Sequence, residues 1–218
     1  MRSIRVTLAK KGRAKYLSHL DMQRCMMRAV RRAGIELWYT EGFNPHPYVT
    51  FALPLPLGVE SEGEPVEIRL EGDATNEDVF RALSAVVPEG IEVVSVQDST
   101  AKPNEIAFAQ YQIVLQNAPG LADAVRQALA SGELPAEKLG KAGRKKALKQ
   151  INCCDLIGSA AVEETNGAVE INAVLAAGSQ QNLSPLLLLD ALSAKTGEEL
   201  KCLSVVRKGL LKSDYKKF

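Results

Sequence analysis

The side chains best suited to chemistry lie in one short stretch with little backbone freedom, residues 43–48 (FNPHPY). Its two prolines fix their own φ and push the residue before each of them toward an extended conformation. Such a loop loses little entropy when it binds a ligand. Asn44 offers a donor and an acceptor, and His46 can act as an acid, a base or a hydrogen-bonding group near neutral pH. The alternative is a stiff connector in which both side chains only satisfy nearby backbone groups.

Four arginines that precede this loop could supply positive charge to an anionic ligand: Arg24, Arg28, Arg31 and Arg32. Their spacing places them on one stripe of a helix. Residues 1–34 carry ten basic side chains and one acid, whereas residues 35–98 carry two basic side chains and thirteen acids. This imbalance indicates either an anionic partner for the basic segment or two segments that neutralise each other in the fold.

Five of the eleven aromatic residues lie in or beside the same loop. We predict that Trp38 and Phe51 pack in the core. Tyr39, Phe43 and Tyr48 are candidates to stack on bases while the arginines contact phosphates, although core packing would also explain them. No strand carries the K/R-G-F/Y-G/A-F-V signature, so an ordinary RNA-recognition motif is not supported.

Two further charged segments are predicted to be loops. Residues 138–149 contain six basic side chains and no acid, and their glycines predict a mobile connection. It is either a solvated loop or a second phosphate contact through Lys145 and Lys146. Residues 58–64 cluster three glutamates without the register of a calcium loop. They predict a solvated acidic loop or a partner for the arginine stripe.

The composition excludes several classes of protein. With 46% hydrophobic residues, the chain can bury a core. Two histidines and four scattered cysteines predict no metal centre and no disulfide framework, and the thiols are typical of a reduced cytoplasmic protein. We expect one buried thiol at Cys153-Cys154. No apolar run approaches the ~20 residues of a membrane span, and no nucleotide or hydrolase fingerprint occurs, so we expect no membrane association and no cofactor.

The elements that must position these residues follow one order twice: strand, helix, strand, strand, helix, strand. In the first half, Ile4, Val6 and Leu8 alternate as in a strand, and Ser18 predicts the cap of a helix that begins at His19. Extended segments follow at 37–40, 48–53 and 65–70, then a capping box at 75–78, a helix containing Phe80 on its apolar face, and a strand from residue 91.

The second half repeats this order with different residues. It comprises a strand at 108–115, a helix at 121–129, a hairpin of 155–164 with 168–175, a helix capped by Ser184, and a strand at 202–211. Two split β-α-β units predict an α+β protein with two tandem ferredoxin-like halves, residues 1–98 and 107–218, joined by a linker at 99–106.

Three segments of the first half carry a family resemblance: residues 16–21 (YLSHLD), 41–47 (EGFNPHP) and 54–64 (PLPLGVESEGE). They resemble the linked motifs of the DUF2344, or radical SAM-linked, protein family. Residues 148–157 and 178–185 resemble its weaker C-terminal landmarks. Members of this family are fused to, or encoded beside, a radical SAM protein, often near ribonuclease and ribosomal-protein genes. The resemblance therefore implies a radical SAM partner. The chain itself has no C-x₃-C-x₂-C motif for an iron-sulfur cluster.

These observations favour a non-catalytic substrate-recognition or scaffold protein for a radical SAM enzyme, with structured RNA as its ligand. The tandem layout also resembles CRISPR RNA-processing (Cas6-like) proteins. The alternative is therefore a metal-independent ribonuclease in which His46 takes a proton from a ribose 2′-hydroxyl. A second acid is needed, and His19 is the remaining histidine, but its place at a helix start favours a capping or packing role.

Overall fold

The computed structural model describes residues 1–142, 145–165, 167–179 and 181–218, apart from the side chains of 139–142 and 145–147. The chain forms two compact units. Unit 1 comprises Met1–Glu105 with Val206–Gly209 and Phe218, and unit 2 comprises Ile106–Val205 with Leu210–Lys217. Both contain strands and helices, so the prediction of an α+β protein is confirmed.

Unit 1 is a mixed sheet with two helices on its buried face; the strand pairs are antiparallel except for the parallel pair of β10 (Cys202–Lys212) with β3. Its strands appear in the order β4-β1-β3, and β2 and part of β10 both pair with β3. The elements are β1 (Arg2–Lys10), α1 (His19–Arg32), β2 (Val49–Phe51), β3 (Glu60–Leu70), α2 (Asn76–Ser84) and β4 (Ile91–Asp98), with short 3-10 helices at Gly12–Tyr16 and Pro103–Glu105.

The helix boundaries in unit 1 follow from local capping. The Ser18 hydroxyl accepts the backbone N–H of Asp21 at 3.2 Å, which confirms the predicted start of α1. Thr75 and Asp78 form the predicted reciprocal capping box at α2. Met22 and Met26 of α1 are buried against the sheet, because apolar positions recur on one face of the helix.

A β-bulge changes which residues of β3 face the core. In the β1–β3 pairing, Leu8 lies opposite Glu64 and Lys10 lies opposite Ser61, so three residues of β1 pair with a stretch of four in β3. Residues three apart in a regular strand point to opposite faces, whereas the extra residue of the bulge brings Ser61 and Glu64 to the same face. That face continues the buried line of Ile4, Val6 and Leu8.

Unit 2 has the sheet order β10-β5-β9-β8 and a separate two-stranded sheet of β6 and β7. Ser184, Pro185 and Gly197 cap, begin and end α4, as predicted. Its elements are β5 (Ile106–Gln116), α3 (Leu121–Ala130), β6 (Pro135–Ala142), β7 (Lys145–Asn152), β8 (Ile157–Thr165), β9 (Ala168–Ala176), α4 (Pro185–Thr196) and β10 (Cys202–Lys212), of which Val206–Gly209 belongs to unit 1.

The two predicted charged loops are wrong. Residues 138–149 lie mostly in β6 and β7, which pair as a hairpin with Lys138 opposite Lys149. Residues 60–64 begin β3, and two of their glutamates form ion pairs, Glu60 with Lys15 at 3.4 Å and Glu62 with Lys208. Backbone pairing therefore holds both charged segments in strands, and lysines neutralise two of the glutamates in the second segment.

Two smaller predictions also need correction. The segment 37–40 forms only the single bridges of Leu37 with Leu70 and of Tyr39 with Pro47, which has no N–H to donate to a ladder. Phe80 was predicted on the buried face of α2 but is 38% exposed. Among the described residues, no helix is both long and apolar enough to cross a membrane.

Candidate functional site

The arginines of α1 border a cationic cavity, which we call the arginine groove. Arg24, Arg28 and Arg32 line it together with Arg13, and its volume is about 640 Å³. All four side chains are exposed. Two acids, Asp21 and Glu89, also line the groove, and Asp21 lies 3.6 Å from Arg24. Four cations against two acids leave an excess of positive charge on a surface that reaches solvent.

Arg31 departs from the single predicted stripe. It lines a different cavity, of about 420 Å³, together with Tyr39 and Glu71. Successive residues of a helix are rotated by roughly 100°, so the four arginines cover a sector of about 100° with Arg31 and Arg32 at its opposite edges. The stripe therefore borders two cavities, and the second one brings Arg31 beside an aromatic candidate.

The 43–48 loop presents its functional groups to solvent. Phe43 is fully exposed, and Asn44 and His46 are exposed as well. The His46 Nδ1 lies 3.1 Å from the Asn44 carbonyl oxygen and 3.0 Å from the Thr40 hydroxyl. Because a carbonyl oxygen only accepts, the Asn44 contact favours the neutral tautomer with the proton on Nδ1, in which Nε2 is the acceptor. Hence His46 can meet a ligand through a basic nitrogen.

Arg69 of β3 is a candidate that the sequence did not single out. Its guanidinium lies 4.2 Å from the ring centroid of Tyr48 and 5.1 Å from that of Trp38. Trp38 is therefore half-buried against a cation instead of packing fully in the core. Arg69 and Tyr48 also line a cavity of about 290 Å³ with Lys102. A lone arginine in an alternating strand was the only signal of this arrangement.

A second group missed by sequence analysis is a buried charge cluster made of Lys10, Ser61, Glu64 and Arg207. All four side chains are at most 2% exposed. Lys10 and Arg207 are the register partners of Ser61 on the two strands that flank β3. The bulge in β3 adds Glu64 to the same face. Sequence analysis missed the cluster because Arg207 is distant in the chain and joins it only through strand pairing.

The hydrogen bonds of this cluster are incomplete. Lys10 Nζ donates to the Leu17 carbonyl at 3.1 Å, and Arg207 Nη1 donates to the Leu53 carbonyl at 3.1 Å. Arg207 Nη2 is 4.0 Å from Glu64 Oε1, beyond hydrogen-bond distance. Within the described part of the chain, Arg207 Nε, Arg207 Nη2 and Glu64 Oε2 have no hydrogen-bond partner.

Burial shifts the protonation of the cluster. It lowers the pKa of Lys10, although the Glu64 carboxylate opposes this shift. It raises the pKa of Glu64, and the positive charges of Arg207 and Lys10 oppose that shift. In both cases removal from water disfavours the charged form more than the neighbouring charges favour it.

The remaining predicted residues lie apart from these sites. His19 packs edge-on against Phe51, with ring centroids 5.6 Å apart. The side chains of Lys145 and Lys146 lie outside the described residues. Cys153 is buried, as predicted, and burial raises its pKa. No group of three or more His, Cys, Asp or Glu that could hold a metal ion occurs among the described residues.

Comparison with one solved structure indicates a shared fold, and a second match has a low TM-score. One chain in the crystal structure of a Cbf5-Nop10-Gar1 complex is 12% identical, with a TM-score of 0.52 over 97% of this protein and 50% of that chain. The protein therefore spans about half the length of that relative. A structure described as an unknown protein from Galdieria sulphuraria is 14% identical, with a TM-score of 0.26 over 93% of this protein and 98% of that chain.

Sequence comparison assigns the family. No curated protein matches the sequence significantly. The family described as "Uncharacterized protein conserved in bacteria (DUF2344)" matches residues 3–185. This range contains α1, the 43–48 loop, Arg69 and three of the four members of the buried charge cluster. Since the match covers most of its 218 residues, the chain belongs to the DUF2344 family.

Proposed function

We propose that this protein is a non-catalytic recognition or scaffold partner of a radical SAM enzyme and that unit 1 binds structured RNA. The arginine groove is the observation that carries the RNA part. It offers four guanidinium groups on an exposed concave surface, and guanidinium groups pair well with phosphates. Contacts to several phosphates would give a sequence-independent affinity that depends strongly on salt.

Aromatic groups near the basic surface support the same proposal. Tyr39 shares a cavity with Arg31, and Phe43 exposes its whole ring on the 43–48 loop. An unpaired base of a structured RNA could stack on such a ring while the arginines hold the backbone. The radical SAM part rests on the family resemblance, since members are fused to or encoded beside radical SAM proteins.

We also propose that both units are ferredoxin-like halves, divided near residues 99–106. In unit 1, the four strands lie side by side in the order β4-β1-β3-β2, that is, the fourth strand of the unit, then the first, the third and the second. Unit 2 has the same order when the β6–β7 hairpin is set aside. A helix follows the first and third strands of each unit, which is the split β-α-β arrangement.

The RNA part is tested with two triple variants that remove the same charge. Arg24, Arg28 and Arg32 are changed to Gln in one, and Lys11, Arg81 and Lys216, which lie outside the groove, in the other. We expect the groove variant to bind a labelled hairpin RNA at least tenfold more weakly at low salt. Its slope of log affinity against log salt should fall by roughly 2–3, at about 0.7–0.9 per phosphate contact. Equal binding by the two variants would refute the RNA part.

The partner part needs a separate test. Tagged protein is purified from its native cells, and the proteins retained at comparable amounts are identified. We expect one with a C-x₃-C-x₂-C motif, and the purified pair should then bind each other in titration. If no such protein is retained, or if the purified pair does not associate, the partner part is wrong, whatever the RNA result.

A metal-independent ribonuclease is the second candidate, and the free Nε2 of His46 is the observation that favours it. A neutral imidazole held by its Nδ1 is a suitable general base. His19, packed on Phe51, is not placed as its acid. In EDTA, changing His46 to Ala should reduce RNA cleavage by about 10²–10⁴-fold and leave binding nearly intact. Absence of cleavage by the unaltered protein would exclude this candidate.

A further inference from the structure

We propose that the buried charge cluster is a binding site for one monoanionic carboxylate, held by Arg207 and Lys10. This site is distinct from the arginine groove and does not depend on RNA binding. It lies on the buried face of the unit 1 sheet, where three adjacent strands place Lys10, Ser61 and Arg207 side by side.

The free edge of Arg207 matches a carboxylate. Its Nη1 donates to the Leu53 carbonyl, whereas Nε and Nη2 have no hydrogen-bond partner among the described residues, although Nη2 lies 4.0 Å from Glu64 Oε1. These two nitrogens form one side of the planar guanidinium and can donate two parallel hydrogen bonds to the two oxygens of a carboxylate. A fully buried guanidinium with this edge unpaired is costly, because each donor has lost its hydration.

The charge balance distinguishes an anion from water. Lys10 and Arg207 supply two cations, and Glu64 supplies one anion, all at most 2% exposed. A water molecule would satisfy the open donors but would leave one uncompensated positive charge, which is unfavourable away from solvent. A monoanion satisfies the donors and balances the charge. A dianionic phosphate would exceed the balance and would lie beside the Glu64 carboxylate.

The unpaired Glu64 oxygen indicates a second group that the ligand should carry. Glu64 Oε2 has no partner within the described part of the chain and can accept a hydrogen bond. A hydroxyl or amino group next to the ligand carboxylate could donate it, so a small hydroxy or amino acid fits the cluster. The carbonyls that border the site, those of Leu17 and Leu53, lie outside the strands and helices. Loop segments can open locally without unfolding the core.

The test measures thermal unfolding of the full chain at constant ionic strength while sodium acetate replaces sodium chloride. A saturable site should raise the unfolding temperature by roughly 3–5 °C at an acetate concentration ten times the dissociation constant. The rise in unfolding temperature should increase with the excess of positive charge in the cluster. It should be largest in Glu64→Gln, intermediate in the unaltered protein and absent in Lys10→Met. Lys216→Met, an exposed control, should respond like the unaltered protein. Saturation-transfer NMR should detect bound ¹³C-acetate in the unaltered protein and none in Lys10→Met.

Three results would overturn the proposal. Equal stabilisation of Lys10→Met and the unaltered protein would indicate an effect of acetate on the general surface. Equal or greater stabilisation by sulfate at the same ionic strength would indicate exclusion of the salt from the protein surface. No response to acetate in the unaltered protein would indicate that the cluster holds only water. If Glu64→Gln does not fold, the comparison of Lys10→Met with the unaltered protein decides the matter.

Discussion

Unit 1 contains arginines in two surroundings that differ in their access to water. Arg24, Arg28 and Arg32 of the arginine groove are exposed, and Arg24 lies 3.6 Å from an acid with both side chains more than half exposed. Arg207 in the buried charge cluster is fully buried, 4.0 Å from Glu64. The two distances between arginine and acid are similar, but the first pair is exposed to water and the second is buried. Two unit charges 4 Å apart interact by about 1 kcal/mol in water and by about 4 kcal/mol at an effective dielectric constant of 20.

This difference separates the roles that the two groups can have. Exposed guanidinium groups remain hydrated, contribute little to stability, and are free to exchange water for phosphate. A buried guanidinium has already lost its hydration, so its remaining donors must find a partner inside the protein or in a bound ligand. The same residue type therefore serves a broad, salt-dependent contact in the groove and a single specific contact in the cluster.

The largest expected effect tests whether burial makes the Glu64 charge essential. Changing Glu64 to Gln leaves two buried cations without an anion, and we expect it to lower the free energy of unfolding by about 3–5 kcal/mol in chloride buffer. Urea unfolding measures the change. Glu77→Gln, which breaks an exposed pair with Arg81 at 2.8 Å, is the matched control and should cost about 0.5 kcal/mol or less. Similar costs for both variants would remove the distinction between the two surroundings.

A second prediction compares neighbouring lysines. Burial lowers the pKa of Lys10 below its ordinary 10.5, whereas a hydrogen bond to Glu92 raises that of exposed Lys11 above it. Between the lowered value and 10.5, the unfolded chain holds the Lys10 proton more tightly, so Lys10 makes stability rise with pH. Lys11 makes stability fall with pH, because its stabilising contribution is present below the ordinary pKa of 10.5 and is lost as pH rises through its raised pKa.

Urea unfolding from about pH 8 to 11 measures both signs. Relative to the unaltered protein, Lys10→Met should lose the rise in stability, and Lys11→Met should lose part of the decline. Glu64 contributes a fall in stability as pH rises from its ordinary pKa of 4.5 toward its raised pKa. If both lysine variants had the same pH profile, Lys10 would not be titrating in a buried position.

The smallest expected effect concerns the arginine groove. Changing Arg24, Arg28 and Arg32 to Gln should alter the free energy of unfolding by less than about 0.5 kcal/mol at each position, because exposed positions tolerate substitution. Circular dichroism in urea measures this, with the same preparations used for RNA binding. A loss of several kcal/mol would mean that these side chains support the fold, and weaker RNA binding by the variant could then reflect unfolding.

Local sequence signals predicted much of the secondary structure. Ser18 caps α1, Thr75 with Asp78 caps α2, and Ser184 with Gly197 delimits α4, because caps and glycine stops act within a few residues. The charged strand segments were mispredicted for a related reason. Propensity treats glutamates and lysines as loop residues, and only their partners on other strands show otherwise.

The sequence by itself determined the α+β class, the helix caps, the arginine spacing and the stiffness of the 43–48 loop, since each depends on neighbouring residues and on periodicity. The tertiary structure decided the rest. It separated Arg31 from the groove, placed Arg69 against Tyr48, and joined Lys10, Glu64 and Arg207 through strand register and one β-bulge. Contacts between residues nearly 200 positions apart leave no local pattern, and a one-residue bulge changes the face of a side chain without changing composition.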